Sequence, residues 1–239
     1  MIAADASRDY AAPPAAWDGL PLDGLPAAAL DTETTGLMPG VHEVCELALV
    51  VCAAAGELRW QTLVSGRFEA VSPEALALHG IDLAEARRGP TAAEAAARAK
   101  ALLAAAAPVG VLLVHNAQFD LAMLEPPAGG IWPWPVLDTS ALARALLGVD
   151  ESLSRLLARH GIARDGPAHR ALSDALAVLA LWERALRPQL PADATVGDAL
   201  RIAAAAPPSR RYRGAAGTGT GKGGLGDGQG RRAAGQVSG

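Results

Sequence analysis

The chain has 239 residues, of which 51% are hydrophobic but only 4% aromatic, so its core is expected to rest on Leu, Val and Ala rather than bulky anchors. No run approaches the roughly 18 apolar, charge-free residues of a membrane span. The formal net charge of −4 is unevenly spread: beyond Ser209, Arg210, Arg211, Arg213, Lys222, Arg231 and Arg232 face only Asp227, which leaves the body distinctly acidic. Such a body still binds a polyanion if its carboxylates are clustered and filled with divalent cations. The opening MIAADASRDY has neither a basic nor an apolar signal region, so a cytoplasmic location is the default expectation. Cys45 and Cys52 lie in an apolar stretch and read as buried thiols, not as a disulfide framework.

Residues 1–26 are rich in Ala, Pro, Asp and Gly and read as an irregular extension, packed on the domain through Trp17 and Leu20. Ordered patterning begins with PAAALD, followed by an apolar run from Glu43 to Ala53 and then LRWQTLV. Short loops between them predict three antiparallel strands. Ser72 with Pro73 predicts a capped helix start, and Thr91 with Glu94 a capping box for a helix over Thr91–Ala107. VLLV at 111–114 reads as a buried strand, the second half of HNAQFDLAMLE as helix, and VLD at 136–138 as a short fifth strand. Helices are expected at Ser140–Leu147, Ser152–His160 and Ala168–Leu186. Strands first, then strands alternating with helices, give an α/β fold with a mixed sheet. The stretch 207–239 is a Gly/Arg-rich tail with little apolar surface to bury, and is expected to be flexible.

Asp31 and Glu33 stand two apart in LDTETTGL, and on a strand both would point to one face. Two adjacent carboxylates repel unless a cation or protons intervene. Gly36 follows at a turn where backbone can approach a ligand closely. Asp120 falls in the first turn after VLLV, with Asn116 and Phe119 beside it, where the sites of open α/β sheets gather. His169 lies five residues before Asp174 on the expected last helix, so that both could overlook one site.

In this order and spacing, LDTETTGL, HEVCELALV, VSPEALALHGID, HNAQFD, LDTSALAR and HRALSDA resemble the DEDDh branch of the DnaQ-like 3′→5′ exonucleases. The resemblance implies an RNase H-like fold with a five-stranded mixed sheet flanked by helices, in a domain at 27–187. A short helical segment at 188–206 would precede the tail. It further implies a two-metal phosphodiesterase using Mg²⁺ or Mn²⁺, hard cations that suit carboxylate oxygens. Asp31 would bridge two ions, Glu33 and Asp174 would complete one, and Asp120 would support the other through water. His169 would be the general base, and its presence where a sister branch has Tyr assigns the His branch. Thr34, Thr35, Leu37, Asn116 and Phe119 are the candidates for binding the terminal nucleotide. The expected substrate is a single-stranded or frayed DNA 3′ end, since LDTETTGL stands nearer the polymerase III epsilon-like proofreading subgroup than the oligoribonuclease-like one. Association with a DNA polymerase would follow from that subgroup. RNA 3′-end trimming, as in RNase T-like relatives, and a non-catalytic nucleic-acid-binding module are the alternatives.

Other features are read as structural. Trp132 and Trp134 in WPWP have Pro neighbours that suggest a rigid surface loop rather than base stacking, and His79 follows a helix. Asp138 reads as a helix cap. His42, Glu43, Cys45 and Glu46 fit no zinc spacing, and strand alternation would split them. GTGTGKGG lacks the residues and the preceding strand of a phosphate loop. Gln189-Leu190-Pro191 is too short to define a sliding-clamp motif.

Overall fold

A computed structural model describes residues 15–53, 56–106, 110–127, 129–130 and 132–210. The expected phosphate-loop imitation and most of the expected flexible tail lie outside the described residues. The described residues open with α1 (Ala15–Asp18) and run into the three predicted strands, β1 (Ala27–Thr34), β2 (Val44–Ala53) and β3 (Gly56–Leu63). Next come α2 (Pro73–His79), α3 (Leu83–Ala86), α4 (Ala92–Ala105), β4 (Val111–Val114) and α5 (Ala117–Leu124). The second half holds β5 (Val136–Asp138), α6 (Thr139–Leu147), α7 (Leu153–Arg159), α8 (Ala171–Leu181) and α9 (Val196–Ala204). No helix among the described residues is long and apolar enough to cross a membrane.

The sheet has five strands in the order β3-β2-β1-β4-β5. Short links let β1, β2 and β3 pair antiparallel, whereas β1–β4 and β4–β5 are parallel and need helical crossovers. Local chemistry starts the helices as the sequence predicts. Ser72 Oγ accepts from Ala75 N at 3.3 Å ahead of Pro73, and Thr91 and Glu94 form the reciprocal capping box.

Strand alternation divides the core in two. Ala27, Ala29, Val50, Val111, Leu113 and Leu137 face one side, beneath residues of α6, α7, α8 and α9. Ala28, Leu30, Leu47, Leu49, Leu112 and Val114 face the other, beneath α4 and α5. Trp132 belongs to this second core at 3% exposure, with the Lys100 ammonium 5.4 Å from its ring centre. The surface loop expected for WPWP is therefore a buried anchor at this position. Its large apolar area fills space beside α4 and α5. Both cysteines are free, and Cys45 is buried as expected, but Cys52 is only half-buried.

The segment after α1 packs on the domain as a strap, with Leu20 against the core. Leu22 N donates to Ala194 O at 2.9 Å and Val196 N to Leu20 O at 2.9 Å, tying it to the start of α9. Leu190 is buried at 6%, so the Gln189-Leu190-Pro191 segment offers its apolar side chain to the core and not to a partner.

Because Leu113 is fully buried in the central parallel strand, Leu113→Ala is expected to cost roughly 2–5 kcal/mol in chemical denaturation. Leu78→Ala, at a position 57% exposed, should stay within about 0.5 kcal/mol. Equal losses would contradict this division between core and surface.

Candidate metal centre

The site forms where β1 outruns its parallel neighbour. β4 pairs only with the first part of β1, as far as Ala29 with Leu113, so Asp31 and Glu33 project beyond the last paired residues. The irregularity between Glu33 and Thr34 then turns β1 out of regular pairing with β2. Asp31 and Glu33 share the face of Ala27 and Ala29, the side on which α8 packs. Ala171 and Ala175 of α8 are fully buried, and such small side chains let the helix lie close to the sheet. Asp174 lies between them. One ligand oxygen each from Asp31, Glu33 and Asp174 lies within 4.8 Å of the others, the one such group found among the described residues.

Asp120 approaches from α5. Its Oδ1 accepts from Thr32 N at 3.1 Å and from Thr32 Oγ1 at 2.6 Å, which fixes it against the residue between Asp31 and Glu33. Asn116 enters α5 in the left-handed region at φ 67°, and its N–H donates to Asp138 Oδ1 at 3.1 Å. The same oxygen accepts from Ser140 N and Ala141 N, so Asp138 is the cap of α6 that the sequence suggests.

His169 departs from the expected geometry. The last long helix starts at Ala171, not Ala168, and His169 precedes it in the left-handed region at φ 59°. The reason is a carboxylate on another element. Glu46 of β2 accepts from Ala171 N at 2.9 Å and from Arg170 Nε and Nη2 at 3.2 and 2.6 Å, so the helix is capped at 171. His169 N donates to Asp174 Oδ2 at 3.1 Å, which keeps the half-buried histidine at the rim of the carboxylate group. The helix also ends differently, widening into a π turn over Trp182–Leu186.

Sequence reading passes over two cations. Arg164, in the loop before His169, contacts the Asp174 carboxylate, and its Nη2 donates to Ser154 Oγ at 3.0 Å. Arg170 is the other, held by the buried Glu46. Nothing in the local pattern marks either residue, since each partner comes from a different element. The one available signal is Glu46 itself, a charged residue within the apolar run of β2.

The electrostatics reflect crowding of like charge. Burial, then Asp120 and Glu33, holds Asp31 well above the usual carboxylate range, while Arg164 pulls it down. Burial, then Glu46 and Asp120, raises Glu33 to about 8. Asp120 is raised to about 7 by burial, against the lowering effect of its Thr32 hydrogen bonds. His169 is lowered by burial and by the Arg164 charge. Hard oxygen donors whose charges the protein alone disfavours are a fitting donor set for divalent cations.

The remaining candidates fall into two groups. Leu37 is 70% exposed, and Phe119 is half-buried beside Asp120. Thr34 and Thr35 are buried and bonded within the chain: Thr34 Oγ1 donates to Gly36 O at 2.8 Å, and Thr35 Oγ1 donates to Ala70 O at 2.9 Å while accepting from Glu43 N at 3.0 Å. Thr35 thus holds the β1–β2 loop. The close approach seen at Gly36 is to its own chain: a Cβ there would crowd the His42 ring. His79 is buried and accepts from Ile81 N at 3.0 Å, a structural role at the end of α2. His42, Glu43, Cys45 and Glu46 do not converge. His42 accepts from Met38 N, Glu43 from Arg67 N and Phe68 N, and Glu46 from Arg170.

Comparison with known proteins agrees with this architecture. Residues 28–182 match a family model described as Exonuclease. A DNA polymerase III subunit epsilon-like protein of Rhodobacter capsulatus is 38% identical over 178 residues, which cover 70% of this chain and 24% of the relative. The chain therefore matches about a quarter of that relative's length. Among solved structures, exonuclease X in complex with 5′-overhanging duplex DNA is similar at TM-score 0.57 and 24% identity, covering 74% of this chain and 99% of that one. Exonuclease I of E. coli with a dA16 oligonucleotide is similar at TM-score 0.55 and 20% identity, over 68% of this chain and 42% of that one. A 3′-exonuclease bound to a histone mRNA stem-loop reaches TM-score 0.55 at 19% identity, over 69% and 63% of the two chains. With the family model spanning most of the described sheet and every strand of the site, the chain belongs to the DnaQ-like exonuclease family.

Proposed function

We propose that this protein is a metal-dependent 3′→5′ exonuclease that removes nucleoside 5′-monophosphates from DNA 3′ ends, in proofreading or repair. The observation that carries the reading is the convergence of Asp31, Glu33 and Asp174 within 4.8 Å, with Asp120 alongside. Asp31, Glu33 and Asp174 would hold two Mg²⁺ or Mn²⁺ ions, Asp31 as the shared ligand and Asp120 as a supporting one. When bound, such a pair stabilises the attacking and leaving oxygens of an in-line displacement. His169 would accept the proton of the attacking water, and the bond between phosphorus and the upstream 3′-oxygen would break. Its lowered pKa suits that role, because a neutral imidazole is the form able to take a proton. Leu37, Asn116 and Phe119 would contact the terminal nucleotide, while Thr34 and Thr35 shape the loop beneath it. Binding of a DNA polymerase is part of this proposal through the epsilon-like relative.

The decisive experiment supplies 3′-labelled single-stranded DNA, a mismatched primer–template and RNA, each with Mg²⁺, Mn²⁺ or EDTA. Metal-dependent shortening of DNA in preference to RNA is expected. Preference for RNA would shift the reading to 3′-end trimming, and no turnover of any substrate would sink it.

Three further outcomes are expected. Asp31→Ala should abolish metal-dependent turnover while the protein remains folded by circular dichroism, and undiminished digestion would remove Asp31 from the metal site. His169→Ala should lower the rate by roughly 10²–10⁴-fold. It should also erase a pH limb lying below the usual histidine value of 6.5, and a retained limb would exclude His169 as the base.

The third outcome concerns stability. Glu33 and Asp120 titrate higher in the folded chain than in the unfolded one, so folding favours their protonated forms. Their effect is most favourable below the unfolded values of 4.5 and 3.8 and is lost as pH rises towards about 8. In EDTA the thermal midpoint should therefore fall across that window, and saturating Mg²⁺ should flatten the fall. Parallel curves with and without Mg²⁺ would count against cation binding by this cluster.

A further inference from the structure

Glu46, near the start of β2, is 1% exposed and directly opposite Glu33 in the β1–β2 pair. Like charges opposed in a sheet are destabilising, and a buried carboxylate is costly unless its oxygens are fully engaged. Here they are. Both oxygens face the first turn of α8: Oε1 and Oε2 take the Arg170 guanidinium, and Oε2 also takes Ala171 N. The residue flanking α8 on its N-terminal side, Arg170, supplies no side-chain cap of its own. The cap therefore comes from β2, with a charge placed where the helix dipole favours it.

His169 lies immediately before this clamp. A non-glycine residue in the left-handed region is strained and persists only where its surroundings over-determine it. Two constraints do so. The His169 N–H is held by Asp174 Oδ2, and the next two residues are held by Glu46. We propose that Glu46 is the positioning residue for His169: through Arg170 and Ala171 it fixes the turn that aims the histidine over the carboxylate group. This rests on the exonuclease reading of His169, and it gives Glu46 a role without contact to metal or nucleic acid. Asp174 lies in the same first turn, its N–H donating to Arg170 O at 2.9 Å, but the body of α8 that carries it is also held by buried Ala175, Ala177 and Val178, whereas His169 stands outside the helix.

The test uses the full chain with Glu46→Gln in the wild-type and His169→Ala backgrounds, on 3′-labelled single-stranded DNA with Mg²⁺. In the wild-type background kcat should fall about 10–100-fold, the usual cost of losing an outer-shell partner, with KM changed by less than about threefold. In the His169→Ala background the further loss should be under about twofold, because residues acting as one unit are not additive. Hydrogen exchange should accelerate at residues 170–172 and stay unchanged in β1 and β2. Arg170→Gln breaks the same clamp from its solvent side and should reproduce these results if Glu46→Gln folds poorly. Equal kcat losses in both backgrounds, no loss in either, or unchanged exchange at 170–172 would overturn the proposal. A wild-type chain inert on every substrate would instead overturn the exonuclease reading, since the exchange readout needs no turnover.

Discussion

Mutual repulsion among carboxylates at the end of β1 is the constraint that organises this protein. At separations near 4.8 Å, two ionised carboxylates repel by about 3–4 kcal/mol at an effective dielectric of about 20. A domain's whole stability is about 5–15 kcal/mol, so a fully ionised cluster would consume much of it. The chain answers with specific partners. Arg164 reaches Asp174, Arg170 neutralises Glu46, and Thr32 donates twice to Asp120. What these leave uncompensated is what a divalent cation would satisfy.

The fold makes this crowding possible through a mismatch of lengths and a choice of small residues. β1 extends past its parallel pairing with β4, which opens a crevice where the strand ends of an α/β sheet expose side chains. Alanines on α8 let that helix settle close to β1 and β2 and carry Asp174 into the same crevice. Asp120 enters from the opposite face because α5 begins directly after β4. Three elements distant in sequence thus deliver carboxylates to one volume. The rest of the sheet holds them there.

The outer layer decides how the site is used. Thr35, fully buried, ties the β1–β2 loop to Ala70 and Glu43, so the exposed Leu37 is presented from a firm base. His42 packs under Gly36 from the same loop. Glu46 fixes the turn preceding α8, and with it the left-handed His169. Thr35, His42 and Glu46 act on their neighbours in the chain.

Much of this was legible in the chain itself. Period-two alternation puts Asp31 and Glu33 on one face of β1, and caps at Ser72, Thr91 and Asp138 start α2, α4 and α6 where local chemistry says they should. Such signals are local: they depend on the geometry of one element and on hydrogen bonds a few residues long. What the tertiary structure alone decided is the set of partners. Glu46 and Arg170 lie 124 positions apart, and their pairing moves the start of α8 from the expected Ala168 to Ala171. Trp132 leaves an expected surface loop for the core because α4 and α5 leave space for it. Arg164 gains Asp174 only once α7 and α8 are packed. Periodicity fixes where a side chain points relative to its own strand or helix; which charge it meets depends on the assembly of all of them.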